Sequence, residues 1–166
     1  IPLRLVGSEM CIRDSNIISV GNKLTSWESV GIDYYTKQLP KNLDLSFLDI
    51  KGQQHPKKSI NEVLKRETEM IMAKIPEEFY VISFDSKGES YSSQEFSKLF
   101  EMSMMNNMKL SFIIGGSFGL SKEVINRSDK VISASNFTFP HRLFRIILVE
   151  QIYRSFSIIN KAPYHK

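Results

Sequence analysis

The chain has 166 residues, 42% hydrophobic and 24% charged, a length and balance that suit one domain with a real core and exclude an intrinsically disordered chain. No apolar run approaches the roughly 20 residues that cross a bilayer, so no membrane segment is expected, and a lone Cys11 with three dispersed histidines (55, 141 and 165) excludes an internal disulfide and a structural zinc site. The net charge of +4 is localised: residues 142–166 hold Arg142, Arg145, Arg154, Lys161 and Lys166 against Glu150, while the rest of the chain balances, with 17 basic and 17 acidic residues.

That asymmetry suits a polyanion partner for the C-terminal segment, and equally a solvated helix with a basic end. The cysteine usage fits a reducing cytoplasm. Residues 1–15 have no initiator Met and no clear period, and read as a leader foreign to a single domain over 16–166.

Residues 16–21 read as a first strand ending in a glycine turn. Ser26 is placed to cap a helix from Trp27 to about Leu39, stopped by Pro40. Residues 43–50 alternate apolar and polar, which predicts a strand with one wet face, near an edge. Residues 51–58 form a polar, basic loop that reads as solvated. A helix from about Ser59 to Ala73 follows, with Ile60, Val63, Leu64, Glu67, Met70 and Ile71 on its inward stripe. Residues 78–84 are a buried strand, and 85–88 turn the chain. Ser92 or Ser93 caps a helix to about Met105, whose methionines read as core filler.

The strand Lys109–Ile114 then opens into the glycine loop 115–119, and Ser121 caps a short helix. A strand over 130–134 leads into a polar-aromatic loop fixed by Pro140, and a largely apolar helix runs from His141 to about Ile159. One side of that helix can pack on a sheet, and the other predicts a subunit interface. Helices alternating with short apolar strands predict an α/β fold, a mainly parallel sheet with helices on both faces.

The glycine loop is not a dinucleotide-binding fingerprint, a P-loop or a nucleophile elbow. Phe84, Gly115 and residues 134–139 fall at the ends of three neighbouring strands, where backbone groups can read a base edge and phenylalanines offer apolar surface. The same glycines can simply turn the chain, and the same rings simply fill a core. His141 at a helix start is expected to be neutral. Arg145 and Arg154, on an apolar helix, each require an anion or carboxylate. For Arg154 this is Glu150 at i,i+4, or a phosphate. Tyr164 and His165, beside Lys161 and Lys166, suit an unstacked RNA base or a frayed tail.

Taken together, residues 112–121, 133–141, Arg145, 150–154 and 163–165 resemble the ribosomal large-subunit RNA methyltransferase H family, of the SPOUT or α/β-knot class. The resemblance runs from Asn16 to Lys166. It implies a C-terminal trefoil knot, a homodimer, and S-adenosylmethionine bound in the knot. It also implies N3-methylation of a pseudouridine in a 23S rRNA stem-loop on assembled ribosomes. The cofactor contacts it implies are Phe84, Gly115, Ala134, Ser135, Asn136, Phe137, Thr138 and Phe139. His141, Arg145 and Arg154 match positions near the methyl acceptor, and Arg142, Tyr164 and His165 the side facing RNA. Ser117 stands where the family has a proline, Phe118 where it has a polar residue, and Phe137 and Phe139 where it has leucines. The competing reading is a non-catalytic RNA- or ribosome-binding α/β module, which would bind no cofactor.

Overall fold

A computed structural model describes residues 14–165. The order is β1 (Ser15–Val20), α1 (Ser26–Thr36), β2 (Leu45–Ile50), α2 (Ile60–Lys74), β3 (Tyr80–Ser90), α3 (Ser93–Met105), β4 (Leu110–Ile114), α4 (Lys122–Arg127), β5 (Lys130–Ser133) and α5 (His141–Ile159), closed by a 3-10 turn over Pro163–His165. The strands form one sheet in the order β2-β1-β4-β3-β5, and every ladder is parallel. The expected α/β class holds, with β2 at an edge.

Period-two alternation assigns the two faces. Ile17, Ile82, Leu110, Phe112 and Ile132 point to one side, where they meet residues of α1, α3 and α5. Ile18, Val20, Ile50, Val81 and Ile113 point to the other, with Ile71 of α2 and Val124 of α4. Steps through α1 and α3 move one way along the sheet, and steps through α2 and α4 move the other way on the opposite face. This alternation keeps every crossover the same hand. Phe100 and Phe112 stack at the centre of the first core, where truncating either would cost about 3–5 kcal/mol.

Several local expectations are corrected. α1 is capped by Thr25, not Ser26: Glu28, three residues on, accepts both the Thr25 N–H and its hydroxyl. Its last turn ends at Thr36, and residues 37–39 are a turn. Residues 85–88 do not turn the chain; β3 continues through them to Ser90, with a register shift against β5 between Phe84 and Glu89. The irregularity hides the strand from any period-two reading. Gly88 is required there, because a Cβ would stand 2.6 Å from the Ile132 carbonyl carbon.

Ser15 already pairs with Leu45 at the start of β1, although it falls in the stretch expected to be a leader. The remainder of that expectation, up to residue 13, lies outside the described residues. α5 is not evenly apolar to solvent. Leu148, Val149, Ile152 and Phe156 are buried against the sheet side, Leu143 of the same helix is exposed, and the neighbouring α1 exposes Trp27, Val30 and Tyr34. Among the described residues no helix is long and apolar enough to cross a membrane.

Candidate functional site

Neighbouring β3 and β4 send their following helices to opposite faces, as do β1 and β4. Such switch points open clefts beyond the carboxyl ends of parallel strands. Two cavities occupy them. The first, of about 460 Å³, is lined by Phe84, Gly115 and all of residues 134–139. All eight residues expected to hold a cofactor therefore line one cavity. Its size and mixed apolar and backbone lining fit a nucleoside-sized ligand.

The glycine loop is folded tightly on itself. The Gly119 N–H donates to the Gly116 carbonyl at 3.0 Å, and Gly119 takes φ +77°, a left-handed conformation that favours glycine. A Cβ at Gly115 would stand 2.8 Å from the Gly119 carbonyl oxygen. Across the cavity, the Ser135 hydroxyl oxygen accepts the Phe137 N–H at 2.9 Å, which fixes the turn and leaves the Phe137 ring 78% exposed at the mouth. Asp85 and Ser86 also line this cavity. Asp85 supplies a carboxylate able to accept from ligand hydroxyls.

The second cavity, of about 440 Å³, shares Gly116, Ser117 and His141 with the first and adds Gly21, Asn22, Glu67, Arg142 and Arg145. His141 therefore stands between the two. Burial, then the positive Arg145, hold its imidazole below the usual histidine range despite an opposing pull from Glu67, so it is neutral at pH 7, as its place at a helix start predicts.

Arg145 is 2% exposed. Its Nη1 donates to the Asn22 carbonyl at 3.1 Å and lies 3.7 Å from Asp49. Gly21 lets the guanidinium approach, since a Cβ there would stand 2.8 Å from Nη2. Arg145 Nε has no partner among the described residues. Arg142 is held at 3.5 Å by the fully buried Glu28. Burial pushes that carboxyl up, but the Thr25 bonds and the two arginines outweigh it and hold the group below its ordinary value.

The remaining expected residues are elsewhere. Arg154 is 13 residues further along α5 than His141, about 20 Å at 1.5 Å per residue. Its Nε and Nη2 donate to Glu150 Oε1 at 2.8 and 2.6 Å, so within the chain the carboxylate is its partner. The same oxygen accepts the Tyr164 hydroxyl at 3.1 Å, and the guanidinium lies 5.0 Å from the Tyr164 ring centroid. The tail is thus anchored through Tyr164. His165 ends the 3-10 turn, and its side chain lies outside the described residues.

Sequence reasoning missed Glu67, Asp85, Gly21 and Asn22. Glu67 carried a visible signal: a carboxylate on the apolar stripe of α2. It is 4% exposed; Oε1 accepts the Gln53 N–H at 3.0 Å, and Oε2 has no partner among the described residues. Among those residues, no cluster of three or more acidic, His or Cys groups could hold a metal.

Comparison with known proteins places this architecture. A family model described as "Predicted SPOUT methyltransferase" matches residues 14–165. The chain is 39% identical over 155 residues to ribosomal RNA large subunit methyltransferase H 1 of Clostridium perfringens strain SM101, covering 90% of this chain and 98% of the relative. It is 39% identical over 156 residues to ribosomal RNA large subunit methyltransferase H of Clostridium botulinum strain Hall, covering 91% and 98%. A crystal structure of a methylase family protein from Neisseria gonorrhoeae shares the fold, with a TM-score of 0.50 at 8% identity over 88% of this chain and 84% of that one. The chain belongs to the SPOUT methyltransferases, within the ribosomal large-subunit RNA methyltransferase H family.

Proposed function

We propose that this protein methylates N3 of a pseudouridine in a 23S rRNA stem-loop on assembled ribosomes in the cytoplasm, with S-adenosylmethionine as donor. The observation that carries the reading is the pair of adjoining cavities: one lined by backbone, aromatic rings and the Asp85 carboxylate, the other by two arginines and Glu67, with His141 lining both. Phe84, Gly115 and residues 134–139 would hold the cofactor, Asp85 accepting from its hydroxyls. When bound, the cofactor supplies an electrophilic methyl group on a sulfonium.

The base enters the second cavity. Its N3 proton leaves for the neutral imidazole of His141 or a water, and the ring becomes an anion whose charge spreads to its carbonyl oxygens. Arg145 supplies the fixed positive charge that favours this anion. The cofactor held by Phe84, Gly115 and residues 134–139 would supply the methyl group to N3, its sulfur keeping the electron pair of the broken carbon–sulfur bond. Two adjoining cavities would hold donor and acceptor together, which lowers the entropic cost of their meeting.

The proposal includes a homodimer and a knotted C-terminal segment. The exposed Trp27, Val30 and Tyr34 of α1, beside α5, supply an apolar surface for a second copy. The distance of Arg154 and Tyr164 from His141 is explained if each tail completes the partner's site. The knot is supported by the route of the chain: the end of β5 and the glycine loop line one cavity, and α5 then packs on both α3 and α1.

The test is methyl transfer to ribosomes from a strain lacking the endogenous activity. Label in 23S rRNA at the pseudouridine is expected, and incorporation no higher than the blank overturns the reading. Calorimetry with S-adenosylmethionine separates the enzyme from a non-catalytic RNA-binding module, which would show no site.

A further inference from the structure

The loop between β2 and α2 reads in the sequence as a solvated connection. It carries Lys51, Lys57 and Lys58 and no carboxylate. The fold brings it to the second cavity, whose lining includes Gly52 and Gln54 together with Arg142 and Arg145. Two basic segments remote in sequence therefore meet around one opening. We infer that loop 51–58 and Arg142 form a phosphate-binding rim that grips the RNA backbone on either side of the target base. The inference rests on the RNA substrate proposed above.

Three observations carry it. First, the loop is held in place. The Gln53 N–H is fixed by the buried Glu67 carboxylate at 3.0 Å, and the Gln54 side-chain oxygen accepts the Ser117 hydroxyl at 3.2 Å. His55 ties the far end, its Nδ1 accepting the Lys57 N–H at 3.1 Å and its carbonyl the Lys58 N–H at 3.0 Å. A merely solvated connection has no need of a buried carboxylate as anchor, and a held loop presents its charges with little ordering cost on binding.

Second, the lysines are exposed and little compensated. Among the described residues none of the three forms an ion pair. The acidic neighbours have other partners: Glu62 accepts from Ser59 in a capping box and only secondarily feels Lys58, Glu67 holds Gln53, and Asp49 faces Arg145.

Third, the placement matches how a flipped base is delivered. A base entering a cleft brings its flanking phosphates to the rim, where cations set register without reading sequence. Lys57 and Lys58 lie at most four residues from Gln54, within about 14 Å of the wall.

The test compares the full-length protein with the triple variant Lys51→Ala, Lys57→Ala, Lys58→Ala, by co-sedimentation with 70S ribosomes between 50 and 200 mM salt. Removing three phosphate contacts lowers the slope of log K against log salt by about 2, at roughly 0.7 per contact on a single strand, and weakens binding at low salt by about 10- to 100-fold. The S-adenosylmethionine Kd and the melting temperature stay at parental values, because none of the three side chains enters a cavity or the core. The triple Arg variant restores the slope. An unchanged Kd and slope in the alanine variant overturn the inference. Failure of the methyltransferase reading appears separately, as a parent protein that binds ribosomes and transfers no methyl.

Discussion

A side chain at Gly116 would stand 2.8 Å from Oε2 of Glu67. The glycine loop of the first cavity thus rests directly on the buried carboxylate that anchors the basic loop of the second. Glu67 cannot swing aside without releasing the Gln53 N–H, and the other near neighbour, Val20 at 3.0 Å, belongs to β1. Gly116→Ala is therefore expected to destabilise by about 1–3 kcal/mol, as overpacking does, which lowers Tm by several degrees at this chain length. The displaced loop should also weaken S-adenosylmethionine binding. Thermal melts and calorimetry check both; a parental Tm would show that Glu67 yields freely.

Arg145 is the buried arginine lining the second cavity, and its charge and its fork geometry can be separated. Arg145→Met keeps an apolar stem but removes the donor to the Asn22 carbonyl and the cation 3.7 Å from Asp49, which keeps the Ser19 hydroxyl as a donor. About 1 kcal/mol of stability should be lost, the ordinary net worth of one hydrogen bond. Methyl transfer should fall by about 100-fold or more, since fixed charge beside a developing anion is worth that much. Arg145→Lys should keep part of the rate and little of the Asn22 contact. Single-turnover rates at saturating cofactor distinguish these outcomes from a binding defect.

How much of this was legible in the sequence depends on the length scale of the signal. The α/β class and most element positions follow from local periodicity, and the residues proposed to hold a cofactor come from a resemblance carried by contiguous motifs. Contacts set by three-dimensional convergence were not readable. Gly21 lies beside Arg145 only because β1 and α5 meet beyond the sheet. Asp85 was taken for a turn residue, since the irregular register of β3 against β5 has no sequence period. Glu67 was visible as a carboxylate on an apolar stripe, and only the fold shows that it faces the glycine loop. Arg154 shows the reverse limit. Its two partners, Glu150 and a phosphate, could not be separated from spacing alone, and within the chain the geometry selects Glu150.

The lowered pKa of His141 sets a pH dependence whose sign can be stated. Burial and Arg145 depress the folded-state value, so at pH values above the unfolded pKa near 6.5 the imidazole is neutral in both states and costs nothing. As pH falls below that, the unfolded chain binds a proton the folded one resists, and stability declines until the folded pKa is passed. kcat/KM should stay flat from pH 7 upward on account of this group and drop on the acid side below pH 6.5. In His141→Ala the acid limb of the stability profile should shrink. If that variant also keeps the full methylation rate, water and not His141 takes the N3 proton.

The separation of Arg154 and Tyr164 from His141, about 20 Å along α5, makes the dimer testable by mixing. Arg145→Met damages the cavity and Tyr164→Ala damages the tail; each homodimer should be nearly inactive. Tyr164→Ala loses the hydroxyl bond to Glu150 and the ring contacts with Arg154 and Tyr153, about 1–3 kcal/mol together, and a thermal melt checks that the tail variant stays folded. If tails complete the partner's site, a heterodimer of the two variants pairs one intact cavity with one intact tail, and its other site carries both lesions. Random assembly makes half the dimers mixed, each with one working site of two, so activity should recover to about a quarter of the parental value in a two-fold symmetric assembly. If instead each tail serves its own cavity, every site in the mixture carries one lesion, and co-refolding the two variants restores nothing.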